Sequence, residues 1–310
     1  MTHTLFDWIN ERHAIYLRRE LALGHEIPEG YMRNKPTASS PYPGLYTKDK
    51  ELQQYRFCNV FRELDTVTVW IKNHIREPFK DHPYLWFMLA IARSINWPPT
   101  LERLMEDPKT WPYDKNFKPV EMAKEMNRIK KERLKLYTGA YMVRAESDRA
   151  ADFYDDKQYY VACKLIGQFW PKIKKHTHVI EACETQEETW TYIASFYGWG
   201  PFTSYEVVTD MRHTRYLNEA PDIMTWANPG PGARRGLNRI HGRPINANLR
   251  IDSLMEEMQE LLAQSVYKIA LWVPALEMRD IEHSLCEYDK WQRAKLGEGR
   301  PRSRWKETLT

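Results

Sequence analysis

Asp280, His283, Glu287 and Lys290 recur at helical spacing along one amphipathic stretch, with Ile281, Leu285 and Tyr288 on its apolar side. A helix puts the four polar residues on one face. An imidazole flanked by two carboxylates has its protonated form favoured and suits general acid or base work. The pattern Asp-x-x-His-x-x-x-Glu also fits metal ligation, but ferritin-type sites need a second such helix, and the sequence offers none. No metal or cofactor is therefore expected, and a salt-bridge ladder on a helix surface is the alternative to catalysis.

A second constellation is Asn59, Arg62, Glu63 and Thr66, with Asp65 beside them. These residues fall at i, i+3, i+4 and i+7 of a long helix expected over 50–76, whose buried stripe would be Val60, Leu64, Val67 and Ile71. An amide and a carboxylate on a rigid helix can read the Watson–Crick edge of a base, which makes Asn59, Arg62 and Asp65 base-recognition candidates and Glu63 a catalytic one. The alternative is a surface strip holding an Arg–Glu pair worth roughly a few tenths of a kcal/mol.

Two glycine-rich turns suit anions. Residues 196–212 read as a helix end, a Gly198-Trp199-Gly200-Pro201 turn and a second helix with Thr203 in its first turn. Gly198 and Gly200 tolerate positive φ, and Pro201 fits a first helical turn. Backbone N–H groups at such a helix start favour a phosphate. The pattern resembles the helix-hairpin-helix, which grips a DNA phosphate without reading sequence; an ordinary helix corner is the alternative. Residues 226–239 make another such turn. There the amides of Gly230 and Gly232, with Arg234 and Arg235 one turn on, would cradle a phosphate or pyrophosphate, or would simply start a helix with exposed arginines.

The elements that must position these groups are helical. Helices are expected over 1–26, 50–76, 84–96, 101–105, 120–136, 158–174, 185–197, 250–263 and 278–294, with an extended arm over 28–46 and a basic tail over 296–310. Strand alternation is scarce, and no repeat is visible. The fold class is all-α, with two helical lobes and a division into an N-terminal helix and arm (1–49) and a main helical domain (50–310).

The net charge of the 310 residues is only +4, so the chain does not coat nucleic acid indiscriminately. Its cations are clustered instead: Arg128, Lys130, Lys131, Arg133 and Lys135; Arg234, Arg235, Arg239, Arg243 and Arg250; and Arg300, Arg302, Arg304 and Lys306. Such patches suit phosphate contacts, or are solvated helix faces. Cys58, Cys163, Cys183 and Cys286 form no CxxC pair, which argues for reduced thiols in a cytosol. There is no apolar signal core, and the longest apolar run, 84–92, is too short to cross a bilayer. A cytoplasmic protein without membrane contact is expected. No P-loop, Gly-x-Ser-x-Gly elbow or zinc-deaminase signature is present, so the chain is not a self-sufficient kinase.

Four segments together resemble one family: Tyr-Arg-Phe-Cys-Asn-Val-Phe-Arg-Glu-Leu-Asp (55–65), Gly-Trp-Gly-Pro-Phe (198–202), Gly-Pro-Gly-Ala-Arg-Arg-Gly-Leu (230–237), and Asp-Ile-Glu-His-Ser-Leu-Cys-Glu-Tyr-Asp-Lys with Gly-Glu-Gly-Arg-Pro-Arg-Ser (280–290 and 297–303). The family is that of phage thymidine hypermodification, covering alpha-glutamyl/putrescinyl thymine pyrophosphorylases and the helical domain of 5-hydroxymethyluracil DNA kinases. It is similar to helix-hairpin-helix DNA glycosylases, which implies a two-lobed, all-α fold of that kind.

The resemblance implies action on DNA carrying 5-hydroxymethyluracil, where a kinase installs pyrophosphate and a transferase replaces it with an amine or amino acid. His283, Glu287, Asp280 and Glu63 would then serve catalysis. Gly198, Gly200, Thr203, Gly230, Gly232, Arg234, Arg235, Lys290, Arg300 and Arg302 would hold DNA or pyrophosphate. Expected partners are double-stranded DNA with a modified thymine, an amine co-substrate and a P-loop DNA kinase. A non-catalytic DNA-binding module and a modified-base glycosylase are the competing readings. For the last, the usual catalytic Asp slot falls on Pro229 or Gly230, with Asp210 and Asp222 nearby in sequence.

Overall fold

The computed structural model describes residues 4–36, 46–138, 156–301 and 303–304. In chain order the helices are α1 (Leu5–Ala22), α2 (Lys50–Gln54), α3 (Thr66–Ile71), α4 (Leu85–Ile95), α5 (Pro98–Met105), α6 (Pro119–Lys131) and α7 (Lys157–Tyr159). They continue with α8 (Ile173–Ala182), α9 (Gln186–Ala194), α10 (Pro201–Met211), α11 (Pro231–Ile240), α12 (Ile251–Lys268) and α13 (Met278–Lys295). The fold is all-α; among the described residues the sole extended pairing is an antiparallel bridge of Tyr55 with Arg304. Within the expected arm, 37–45 lie outside the described residues, as do Arg302 and 305–310 of the tail.

Local chemistry sets several boundaries. Thr4 and Asp7 form a capping box that starts α1, and Thr185 with Glu188 does the same for α9. The helix expected over 50–76 is not continuous. It breaks into α2, an irregular stretch over 55–61, a 3-10 turn at Arg62–Leu64, α3, and a π-type turn at Lys72–Arg76. The cause is competition for backbone groups. The Asn59 amide donates to the Leu64 carbonyl (2.7 Å), and the Asp65 carboxylate accepts from the Asn59 N–H (2.9 Å). Asn59, Arg62, Glu63 and Thr66 thus share no helical face.

The stretch expected as one helix over 158–174 is also divided. After α7 come a π-type turn at Tyr160–Ile166 and a 3-10 turn at Trp170–Lys172, and then α8, a helix outside the expected ones apart from its first two residues. Pro171, lacking an N–H, cannot continue an upstream helix. Helix α6 ends at Lys131, short of residue 136, and Arg133 then takes a left-handed φ of 61°.

The chain forms two compact units, one from residues 1–65 and 223–310, the other from 66–222. In the first, α13 is the central helix and packs against α1, α2, α11 and α12. Its seam with α11 is tight because Gly232 and Gly236 carry no side chain there. A Cβ at Gly232 would run into the Cys286 sulfur, and one at Gly236 would sit 2.5 Å from the Leu285 carbonyl oxygen.

In the second unit α4 is buried along its whole length. Trp86, Phe87, Phe117, Phe169 and Trp170 make edge-to-face and stacked contacts around it. Arg93 of α4 is nearly fully buried and holds both Asp210 oxygens (2.5 and 2.7 Å) and Thr68 Oγ1 (3.0 Å). This paired, fully bonded arrangement is the form in which a buried charge is tolerated.

Candidate active site

Within the first unit, α1, the 55–65 segment and α13 converge on one cluster of ionisable groups. Arg12 of α1 holds the segment in place: its Nε donates to the Cys58 carbonyl (3.0 Å), and Nη2 donates to the Phe57 carbonyl (3.2 Å) and Asn59 Oδ1 (2.6 Å). From the other side Glu287 of α13 accepts the Cys58 N–H (3.0 Å) and pairs with Lys290 (2.9 Å), whose ammonium also lies 4.9 Å from the Phe57 ring centre. The irregular backbone at 57–59 is thus satisfied by an arginine and a glutamate.

His283 projects from α13 into this cluster. It is only 9% exposed, one imidazole nitrogen bonds the Asn59 backbone, and Nε2 is buried without a partner. Donor atoms of His283, Asp65 and Cys58 all lie within 4.8 Å of one another. Burial raises the Asp65 carboxyl, with the Arg62 charge opposing. Burial, then the charges of Arg62, Lys290 and Arg279, hold the His283 imidazole well below its ordinary value. Burial with the Glu287 charge pushes the Cys58 thiol well up, so it is protonated and a poor nucleophile.

The three side chains are of types that bind zinc. Yet Arg12, Arg62 and Lys290 all bear electrostatically on the same groups. The carboxylates of Glu287 and Asp65 act on them too, so the cluster interleaves cations and acids at close range. A neutral imidazole with a vacant nitrogen beside a carboxyl of raised proton affinity is an arrangement for moving a proton.

The remaining candidates fall as follows. Asp280 closes the capping box of α13, its carboxylate accepting the Glu277 N–H at 2.9 Å, so it anchors the helix that carries His283. Glu63 and Arg62 lie in the 3-10 turn; Glu63 is buried, and its charge acts on Arg279 and Tyr31. Asn59 is engaged at both ends of its amide, by Arg12 and by Leu64, which makes it a brace of the segment. The stripe on α13 is buried, contrary to the surface-ladder alternative.

At the second glycine turn the expected amide cradle is filled from within. The Gly230 N–H donates to Glu282 (3.3 Å), Gly232 faces Cys286, Arg234 bonds Asn248 (2.5 Å), and Arg235 pairs with the fully buried Asp289 (2.8 Å). Arg300 is exposed, and Arg302 lies outside the described residues.

In the second unit, α9 and α10 pack as a hairpin across the first glycine turn. Gly198 has φ +74°, and a Cβ there would meet Leu165 at 2.9 Å and the Tyr160 hydroxyl at 3.2 Å. Gly200 differs from expectation: its φ is −76°, an ordinary N-cap value, and the space beside it is open. No side chain caps α10, whose first turn contains Thr203. Both aspartates near the glycosylase frame are engaged, Asp210 by Arg93 and Asp222 by the Gln186 and Glu187 N–H groups at the start of α9.

The family described as "5-hmdU DNA kinase, helical domain" matches residues 30–300. The chain belongs to this family. Membership in the 5-hmdU DNA kinase helical-domain family ties the chain to hydroxymethyluracil modification and covers every residue of the cluster except Arg12. No curated protein and no solved structure matches the chain. Among the described residues no helix is long and apolar enough to cross a membrane.

Sequence reasoning missed Arg12 and the part played by Cys58. Arg12 left a signal: it lies four residues after Trp8 and three after Ile9, on the apolar stripe of α1, where a charge needs a buried partner. Cys58 left none, because its role depends on contacts from distant segments.

Proposed function

We propose that the chain is a DNA base-modifying transferase that replaces pyrophosphate on a 5-hydroxymethyluracil-derived base with an amine or amino acid. The observation that carries this reading is the His283–Asp65 pair, whose donor atoms lie within 4.8 Å of one another and whose proton affinities move in opposite directions. The base is extruded from the duplex so that its methylene carbon is accessible. The amine nitrogen attacks that carbon as the carbon–oxygen bond to pyrophosphate breaks, and the bonding pair leaves with pyrophosphate. The proton shed by the new ammonium passes to His283 Nε2 and on to Asp65.

Glu287, Lys290 and Arg12 hold the segment carrying Asp65 in register. Arg62, Arg300 and Arg302 supply positive charge for the departing pyrophosphate. Gly198, Gly200 and Thr203 contact the DNA backbone. The test is incubation with pyrophosphorylated DNA and a panel of amines, followed by digestion and mass spectrometry of the nucleosides. An aminated nucleoside is expected; an unchanged pool with every amine overturns the reading.

A second reading rests on the family description, which names a kinase, together with the missing P-loop. In it the chain is a non-catalytic DNA-binding module that delivers a separate kinase. Recovery of a P-loop kinase in a pull-down, with no turnover by the purified chain, would support it.

A further inference from the structure

The second unit contains a cleft that the chemistry above does not use. It measures 670 Å³ and is lined by Lys124, Arg128, Lys130 and Lys131 of α6, with Asp156 and Tyr159 opposite. All four cations are exposed, while Met122, Ala123, Met126 and Ile129 on the other face of α6 are buried. Lys124 pairs with Glu121 and Arg128 with Glu125, so these two are partly neutralised. Lys130 and Lys131 have no carboxylate partner among the described residues. Among the described residues one carboxylate lines the cleft, Asp156, which caps α7 by accepting the Gln158 N–H at 2.8 Å, against four lining cations.

We infer that this cleft is a docking site for the phosphodiester backbone of the substrate duplex, separate from the hairpin at Gly198. The inference rests on the reading of the chain as one that acts on DNA. Charge complementarity favours this occupant: a chain of net charge +4 gathers four cations into one concave surface. The row of cations is long enough to meet more than one phosphate, because Lys124 to Lys131 spans about 10 Å of helix. Asn127 also lines the cleft, but Lys124, Arg128, Lys130 and Lys131 dominate it, and phosphate contacts by such cations carry no sequence information directly.

The test uses the full chain and a labelled duplex, with affinity measured across a salt series. Lys130→Gln/Lys131→Gln is compared with the exposed pair Lys174→Gln/Lys175→Gln as a control for net charge. The cleft variant is expected to weaken binding on every sequence and to reduce the slope of log K against log salt by close to two units, about 0.9 per phosphate. The control pair is expected to leave the slope unchanged. An unchanged slope in the cleft variant, or an equal fall in the control, overturns the cleft while leaving the functional reading intact. Failure of the unaltered chain to bind duplex overturns both. Protection of the cleft by inorganic pyrophosphate, with duplex binding unaffected by the substitutions, overturns the duplex as occupant.

Discussion

An imidazole nitrogen of His283 and a carboxylate oxygen of Asp65 lie within 4.8 Å of one another, and burial moves one proton affinity down and the other up. Burial disfavours the charged form of both, so the imidazole is held neutral while the carboxyl gains proton affinity. Their positions depend on Arg12 and Glu287, which clasp the 57–59 backbone from opposite sides.

His283→Gln and Asp65→Asn should each lower aminated-nucleoside formation by roughly 10²- to 10⁴-fold, the usual range for losing a general acid or base. Duplex affinity should change little. Nucleoside mass spectrometry on timed digests gives the first quantity and fluorescence anisotropy the second. Full activity in both variants would remove the pair from the mechanism.

Stability should fall with acid through His13. Its imidazole is held down to about 4 by burial, while it bonds the Tyr31 carbonyl from inside the core. Between pH 6.5 and 4 the unfolded chain binds a proton at this site that the folded chain refuses. Stability is therefore complete above 6.5 and is lost on the order of 3 kcal/mol by pH 4. The buried His283 acts in the same direction. Asp65, raised above its ordinary carboxylate value, acts oppositely above pH 3.8, because there the folded state holds the extra proton. Urea unfolding at pH 7 and pH 4.5 measures the net loss, which should shrink in His13→Leu.

Gly236→Ala should destabilise the first unit by about 1–3 kcal/mol through overpacking, despite the better helix propensity of alanine. The new methyl would sit 2.5 Å from the Leu285 carbonyl oxygen. Gly200→Ala meets nothing within 4 Å and should stay within about 0.5 kcal/mol of the parent. Denaturant midpoints for the two proteins make the comparison.

Gly200→Val tests the hairpin separately from folding, because the open space at this N-cap accepts the side chain. If the α10 N-terminus holds a phosphate, the isopropyl group should weaken duplex binding several-fold on all sequences. Normal binding by the folded variant would leave the α9–α10 turn as a structural corner.

The sequence by itself determined the all-α class, the α9–turn–α10 hairpin and the polar face of α13, because each follows from periodicity and turn residues within a short window. Tertiary structure decided what those residues do. The 50–76 segment has helical spacing, yet Arg12, Asn59 and Asp65 satisfy its backbone groups in an irregular path, a competition no local pattern records. Gly200 and Gly232 both read as anion-binding glycines; only the folded chain shows open space at one and the Cys286 side chain at the other. The α13 stripe could equally have been a solvated ladder, and only the folded chain buries it and brings His283 beside Cys58 and Asp65. The physical reason is common to all three: hydrogen bonding and proton affinity depend on desolvation and on partners far away in the chain, whereas helical spacing depends on near neighbours alone.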